Sequence, residues 1–99
     1  MQVSFSRSGG FAGVMMTAAA DTAMLTATDA AHLRSLVAAA DFFRLTPVMT
    51  GTTTRPDRFQ YDITIADGDR NHSVTVSESN VPSTLRPLLE WLQDTARQG

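Results

Sequence analysis

The residues of this chain with the protonation behaviour that acid–base or metal chemistry needs are two histidines, His32 and His72, and ten carboxylates. No second histidine, cysteine or paired carboxylate stands at a spacing that would complete a catalytic set around either imidazole. His32 falls on the flank of a predicted helix and reads as solvent-facing, while His72 lies on the apolar side of a predicted strand and reads as a hydrogen-bonded histidine at the core's edge. Serines and threonines are plentiful, yet none sits in a nucleophile elbow, a phosphate loop or a zinc-binding spacing. Asp67 and Asp69 flank Gly68 as in a calcium loop, but the other ligand positions, including a Glu at the twelfth place, are missing; turn chemistry accounts for both. The expectation is a protein that is not an enzyme and needs no cofactor or metal of its own.

Composition narrows the class further. At 99 residues the chain has the size of one domain, which buries roughly 60 to 65% of the surface its unfolded form exposes. Its 42% hydrophobic and 18% charged content is that of a globular chain rather than a disordered one. The net charge is -2, and every positive side chain is an arginine, scattered instead of aligned in a stripe that could neutralise successive phosphates; nucleic acid is not the expected partner. The absence of lysine reads as codon bias, although arginine also suits interface ion pairs. Without cysteine there is no disulfide framework and no thiolate. No apolar run reaches the length of a membrane span. Arg7 and the run from Phe11 to Ala20 loosely imitate a secretory leader, but the alternation of Val3 and Phe5 with Ser4 and Ser6 belongs to a strand. A cytoplasmic monomer is the expectation, with export lacking a recognisable signal as the alternative.

Chemistry-poor chains act through surfaces, so the elements that position those surfaces matter most. Residues 2 to 7 alternate as a half-buried strand, and the glycine-rich segment Ser8 to Gly13 leads into a second strand at Val14 to Thr17. Thr28 is a plausible N-cap for a helix over about 29 to 43, with Leu33, Leu36, Val37 and Ala40 along one stripe. Thr46 to Asp57, about twelve residues without periodicity, exceeds the usual connection length. Phe59, Tyr61, Ile63 and Ile65 then alternate with polar residues, Asp67 to Arg70 make a hairpin turn, and His72, Val74 and Val76 return. Leu85, Leu88, Leu89 and Leu92 mark a second helix over about 83 to 97, beside which Trp91 reads as core, and Pro87 is tolerable if that helix begins near Thr84. The order ββαββα predicts an α+β fold, a four-stranded antiparallel sheet with both helices on one face. Its core should include Phe5, Leu33, Leu36, Ile63, Val74, Leu88 and Leu92.

Two irregular segments, Ser8 to Gly13 and Thr46 to Asp57, carry apolar side chains that folding does not obviously require: Phe11 in the first, Val48 and Met49 in the second. The strand directions put both at one end of the sheet, if the first helix climbs back towards the first loop. Phe11 could alternatively tuck into its own core.

Three stretches, Arg7-Ser8-Gly9-Gly10-Phe11-Ala12-Gly13, Asp57-Arg58-Phe59-Gln60-Tyr61 and Leu85-Arg86-Pro87-Leu88-Leu89-Glu90-Trp91-Leu92, make the chain resemble the emfourin family over nearly its whole length. Emfourins are small bacterial proteins associated with protealysin-like proteases of the thermolysin family, which they inhibit. The resemblance implies a single inhibitor domain over residues 1–99, with a thermolysin-like zinc metalloprotease as partner. It also implies a contact set drawn from Ser8, Gly9, Gly10, Phe11, Ala12, Val48 and Met49, with a loop carboxylate directed at the target's zinc. Asp57 is the favoured carboxylate because it lies in the long loop, and Asp21, expected at the opposite end of the sheet, is the runner-up. A protein-interaction or adaptor domain would use the same loops without approaching a metal, and a small hydrolase would need a concave pocket around His32 or His72.

Overall fold

The computed structural model describes residues 1–9, 16–49 and 59–98 of the chain. Strands β1 (Gln2–Gly9), β2 (Met16–Asp21), β4 (Phe59–Asp67) and β5 (Arg70–Ser77) form the antiparallel sheet that the alternating patterns require, and helices α1 (Ala27–Ala40) and α2 (Arg86–Gln98) accompany it. A two-residue strand, β3 (Val48–Met49), joins the edge in parallel with Thr75 and Val76, giving the spatial order β2-β1-β4-β5-β3. The predicted four-stranded antiparallel α+β fold stands, widened by this fifth strand.

Alternation decides which face is covered. Val3, Phe5, Tyr61, Ile63, Ile65, Val74 and Val76 point to one side, where Leu33 and Val37 of α1 and Leu88, Leu89 and Leu92 of α2 close over them as one core cluster. Both helices therefore sit on that face. Ser4, Thr64 and Ser73 occupy the other, and Thr64 and Ser73 share a 2.9 Å hydroxyl hydrogen bond across β4 and β5. Leu36, expected in the core, is only partly buried and packs against its margin, as does Trp91.

Several boundaries move for local reasons. Strand β2 runs from Met16 to Asp21 rather than from Val14 to Thr17, and residues 14 and 15 lie outside the described ones. Its alanines disguise it. Ala18 and Ala20 face Phe5 and Val3 across β1, where bulky side chains already fill the layer and small partners are what fits. Helix α1 starts at Ala27, capped by Thr26, whose Oγ1 accepts from the Asp29 amide at 3.1 Å, so Thr28 is not the cap. It ends at Asp41 in the left-handed conformation (φ 51), and a 3-10 turn over Phe42–Arg44 follows. Helix α2 starts at Arg86, which leaves Pro87 in the first turn, where its missing N–H has no helical acceptor to lose. Gly68, at φ 62, supplies the positive angle that the two-residue turn between β4 and β5 needs.

Helix α1 does not climb back towards the first loop: Phe42 packs edge-on against His72 at 5.6 Å, and the Arg70 guanidinium covers the Phe43 ring at 4.2 Å, both beside the β4–β5 turn. The chain instead rises along β5, with the Leu45 carbonyl at 2.8 Å from His72 Nε2 and the Pro47 carbonyl accepting from the Thr75 amide at 2.7 Å. Strand β3 completes that climb.

Candidate functional site

Register alone brings the described flanks of the two irregular segments to one end of the sheet. Gly9, the last residue of β1, pairs with Phe59, the first of β4, and Arg7 pairs with both Met16 and Tyr61. Met49 pairs with Val76, which in turn faces Tyr61. The chain therefore leaves the described sheet at Gly9 and Met49 and re-enters it at Met16 and Phe59, all at the same end. The long segment does not start at this end, as strand direction had suggested; β3 carries the chain to it only at Met49.

At this end Gly9 has φ 99, an angle that disfavours any residue with a Cβ, so a glycine is needed where β1 breaks from the sheet. Ser8 is half-buried and Gly9 exposed. Val48 is 61% exposed, a large apolar side chain left on the surface beside this end. Gly10, Phe11, Ala12 and Asp57 lie outside the described residues.

Beneath the two exits lies a group of side chains that pattern reading missed. Arg7 continues the inward row of Val3 and Phe5, and its guanidinium lies 4.2 Å over the Phe59 ring while Nη1 donates to Gln93 Oε1 of α2 at 2.9 Å. The Phe59 amide donates to Glu78 Oε1 at 3.2 Å, and Phe5 stacks with Tyr61 at 6.2 Å between ring centroids. The available signal was a charged residue on the apolar side of a strand, at its last inward position.

Burial pushes the Tyr61 hydroxyl above its ordinary value of 10.0, and the nearby Glu78 carboxylate adds to the rise. Since the folded value lies above the unfolded one, this contribution to stability is complete below pH 10 and is lost as pH rises through the folded value. Wild type should accordingly lose thermal stability above about pH 10 more steeply than a Tyr61→Phe variant. Tyr61 is the only tyrosine, so tyrosinate absorbance reads its titration directly, and an ordinary titration curve would contradict the assignment.

Asp21 stands at the opposite end, paired with Gln2, where its Oδ1 accepts from the Ala23 amide at 3.0 Å and its carbonyl from the Met24 amide at 2.8 Å. Turn formation accounts for this carboxylate. Met24, 84% exposed, lies beside it, so an acidic and an apolar side chain also meet here. His32 is exposed on α1, and His72 is held at the core's edge through Leu45. Among the described residues no three His, Cys, Asp or Glu side chains gather where they could hold a metal ion. No described helix is long and apolar enough to cross a membrane.

The family model described as Emfourin matches residues 5–93, most of the chain and all of the end just described. No curated protein and no solved structure matches the chain.

Proposed function

The chain belongs to the emfourin family, and on that premise we propose that it is a non-enzymatic protein inhibitor of a bacterial protealysin-like or thermolysin-like zinc metalloprotease. The observation that carries the reading is the pairing of Gly9 with Phe59, which puts the point where the first segment leaves the described sheet next to the point where the second re-enters it. A catalytic zinc held by three protein ligands keeps a position for water, and a carboxylate from another protein is a hard anionic oxygen that can take it. Thermolysin-like enzymes select large apolar side chains, so Phe11, Val48 and Met49 are the natural fillers of substrate pockets next to that carboxylate. Ser8, Gly9, Gly10 and Ala12 supply the backbone that approaches the enzyme. Asp57 is the carboxylate we assign, because its segment re-enters the sheet at Phe59. Asp21, with Met24 beside it, is the second choice at the other end.

Competition at the zinc separates this reading from an adaptor domain. When the protease's metal is occupied by a small hydroxamate, calorimetry should show binding of this protein weakened at least tenfold. Undiminished binding to the blocked enzyme would favour the adaptor reading instead.

A further inference from the structure

We propose that Arg7 is a positioning residue that locks together the points where the two segments leave and re-enter the sheet; the proposal rests on the inhibitor reading above. Arg7 and Phe59 are diagonal neighbours, because Arg7 pairs with Tyr61 and Gly9 pairs with Phe59, and that separation is within the reach of a long side chain. The guanidinium uses its flat face on the Phe59 ring and its edge on Gln93 Oε1. It thereby joins the last inward residue of β1, the first residue of β4 and helix α2. The Phe59 amide is held separately by Glu78, so both the ring and the backbone of this re-entry residue are fixed.

Stability alone does not explain the choice of residue. Arg7 Nε is buried with no hydrogen-bond partner among the described residues, and an unpaired donor on a charged group is costly where an apolar side chain of similar length would serve the core. A local rule broken in this way is what functional or strained positions show. The benefit here is pre-organisation: the segments on either side of Gly9 and Phe59 start from roots fixed relative to each other, so less ordering remains for the binding step. If the competent arrangement becomes tenfold less populated, the apparent association rate falls by the same factor.

The test uses the full chain with Arg7→Lys, Arg7→Met and Gln93→Glu. Lysine keeps the charge without the planar stack, methionine keeps the stem without either, and glutamate keeps the acceptor for Arg7. Both Arg7 variants should melt within a few degrees of wild type yet associate with the protease at least tenfold more slowly. Their Phe59 and Gln60 amides should exchange hydrogen at least tenfold faster, whereas Gln93→Glu should behave as wild type in both measurements. Unchanged association and exchange in the Arg7 variants would overturn the proposal, and so would a loss of inhibition that merely follows a fallen melting temperature. Should Arg7→Met not fold, Gln93→Ala removes the α2 contact from the other side and is read in the same way. A wild-type chain that inhibits no thermolysin-family enzyme sinks the inhibitor reading and the positioning role with it. A wild-type inhibitor whose Arg7 variants associate normally sinks the clamp alone.

Discussion

Replacing Asp57 by Asn should leave the fold intact and weaken inhibition of the target protease at least about tenfold, equivalent to about 1.4 kcal/mol. Asn keeps the shape and turn-forming capacity of Asp, so a change in affinity reports the charge rather than a rebuilt loop. The magnitude follows from where the oxygen is proposed to sit. A coordinating anion in a site stripped of water is worth more than an exposed ion pair, which contributes less than about 1 kcal/mol. Enzyme inhibition curves for the two proteins, with melting temperatures measured in parallel, decide the matter. A folded Asp57→Asn variant as potent as wild type would move the role elsewhere, and Asp21→Asn becomes the next substitution. The two sites make opposite demands: Asp57 belongs to the segment that re-enters at Phe59, whereas Asp21 closes a turn at the far end of β2.

Leu88→Ala should cost about 2 to 5 kcal/mol of folding stability, the range found for truncating a buried leucine in a rigid core. Leu88 is fully buried, and Leu92 of α2 and Leu85, just before the helix, are equally inaccessible, so little can collapse into the space it would leave. For a domain whose net stability is about 5 to 15 kcal/mol, this is a large fraction of the whole. The denaturant midpoint should fall while the slope of the transition stays constant. An unchanged midpoint would take Leu88 out of the core and undermine the placement of α2.

The core was legible because the inward rows are written in plain alternation. Phe59, Tyr61, Ile63 and Ile65 need only a period of two, and the leucines of α2 only a period of 3.6, to declare which side is buried. What stayed hidden depends on neighbours instead of on local pattern. Ala18 to Ala20 have weak strand preference, and they extend β2 to Asp21 because β1 lies open beside them. Val48 and Met49 make a strand only because the β5 edge offers two residues to pair with. Helix α1 turns away from the loop end because Phe42 finds His72 and Phe43 finds Arg70, a contact no periodicity announces.

The end of the sheet proposed for binding was half legible. The glycines of the first segment marked a departure from the sheet, and Gly9 at φ 99 shows the physical need for one of them. Strand direction started the long segment at that end, whereas the chain reaches it only at Met49, through β3. The Arg7, Phe59, Gln93 and Glu78 group was out of reach, since it joins residues from opposite ends of the sequence through side-chain geometry.

The central claim is that this protein stops a thermolysin-family zinc protease by binding at its active site. Titrating a protealysin-like enzyme with the protein, and following hydrolysis of a small peptide substrate, tests it most directly. Activity should fall to near zero at about one inhibitor per enzyme under tight-binding conditions, while serine and cysteine proteases treated identically keep full activity. Undiminished hydrolysis by several thermolysin-family enzymes, with the protein in large excess, would contradict the account.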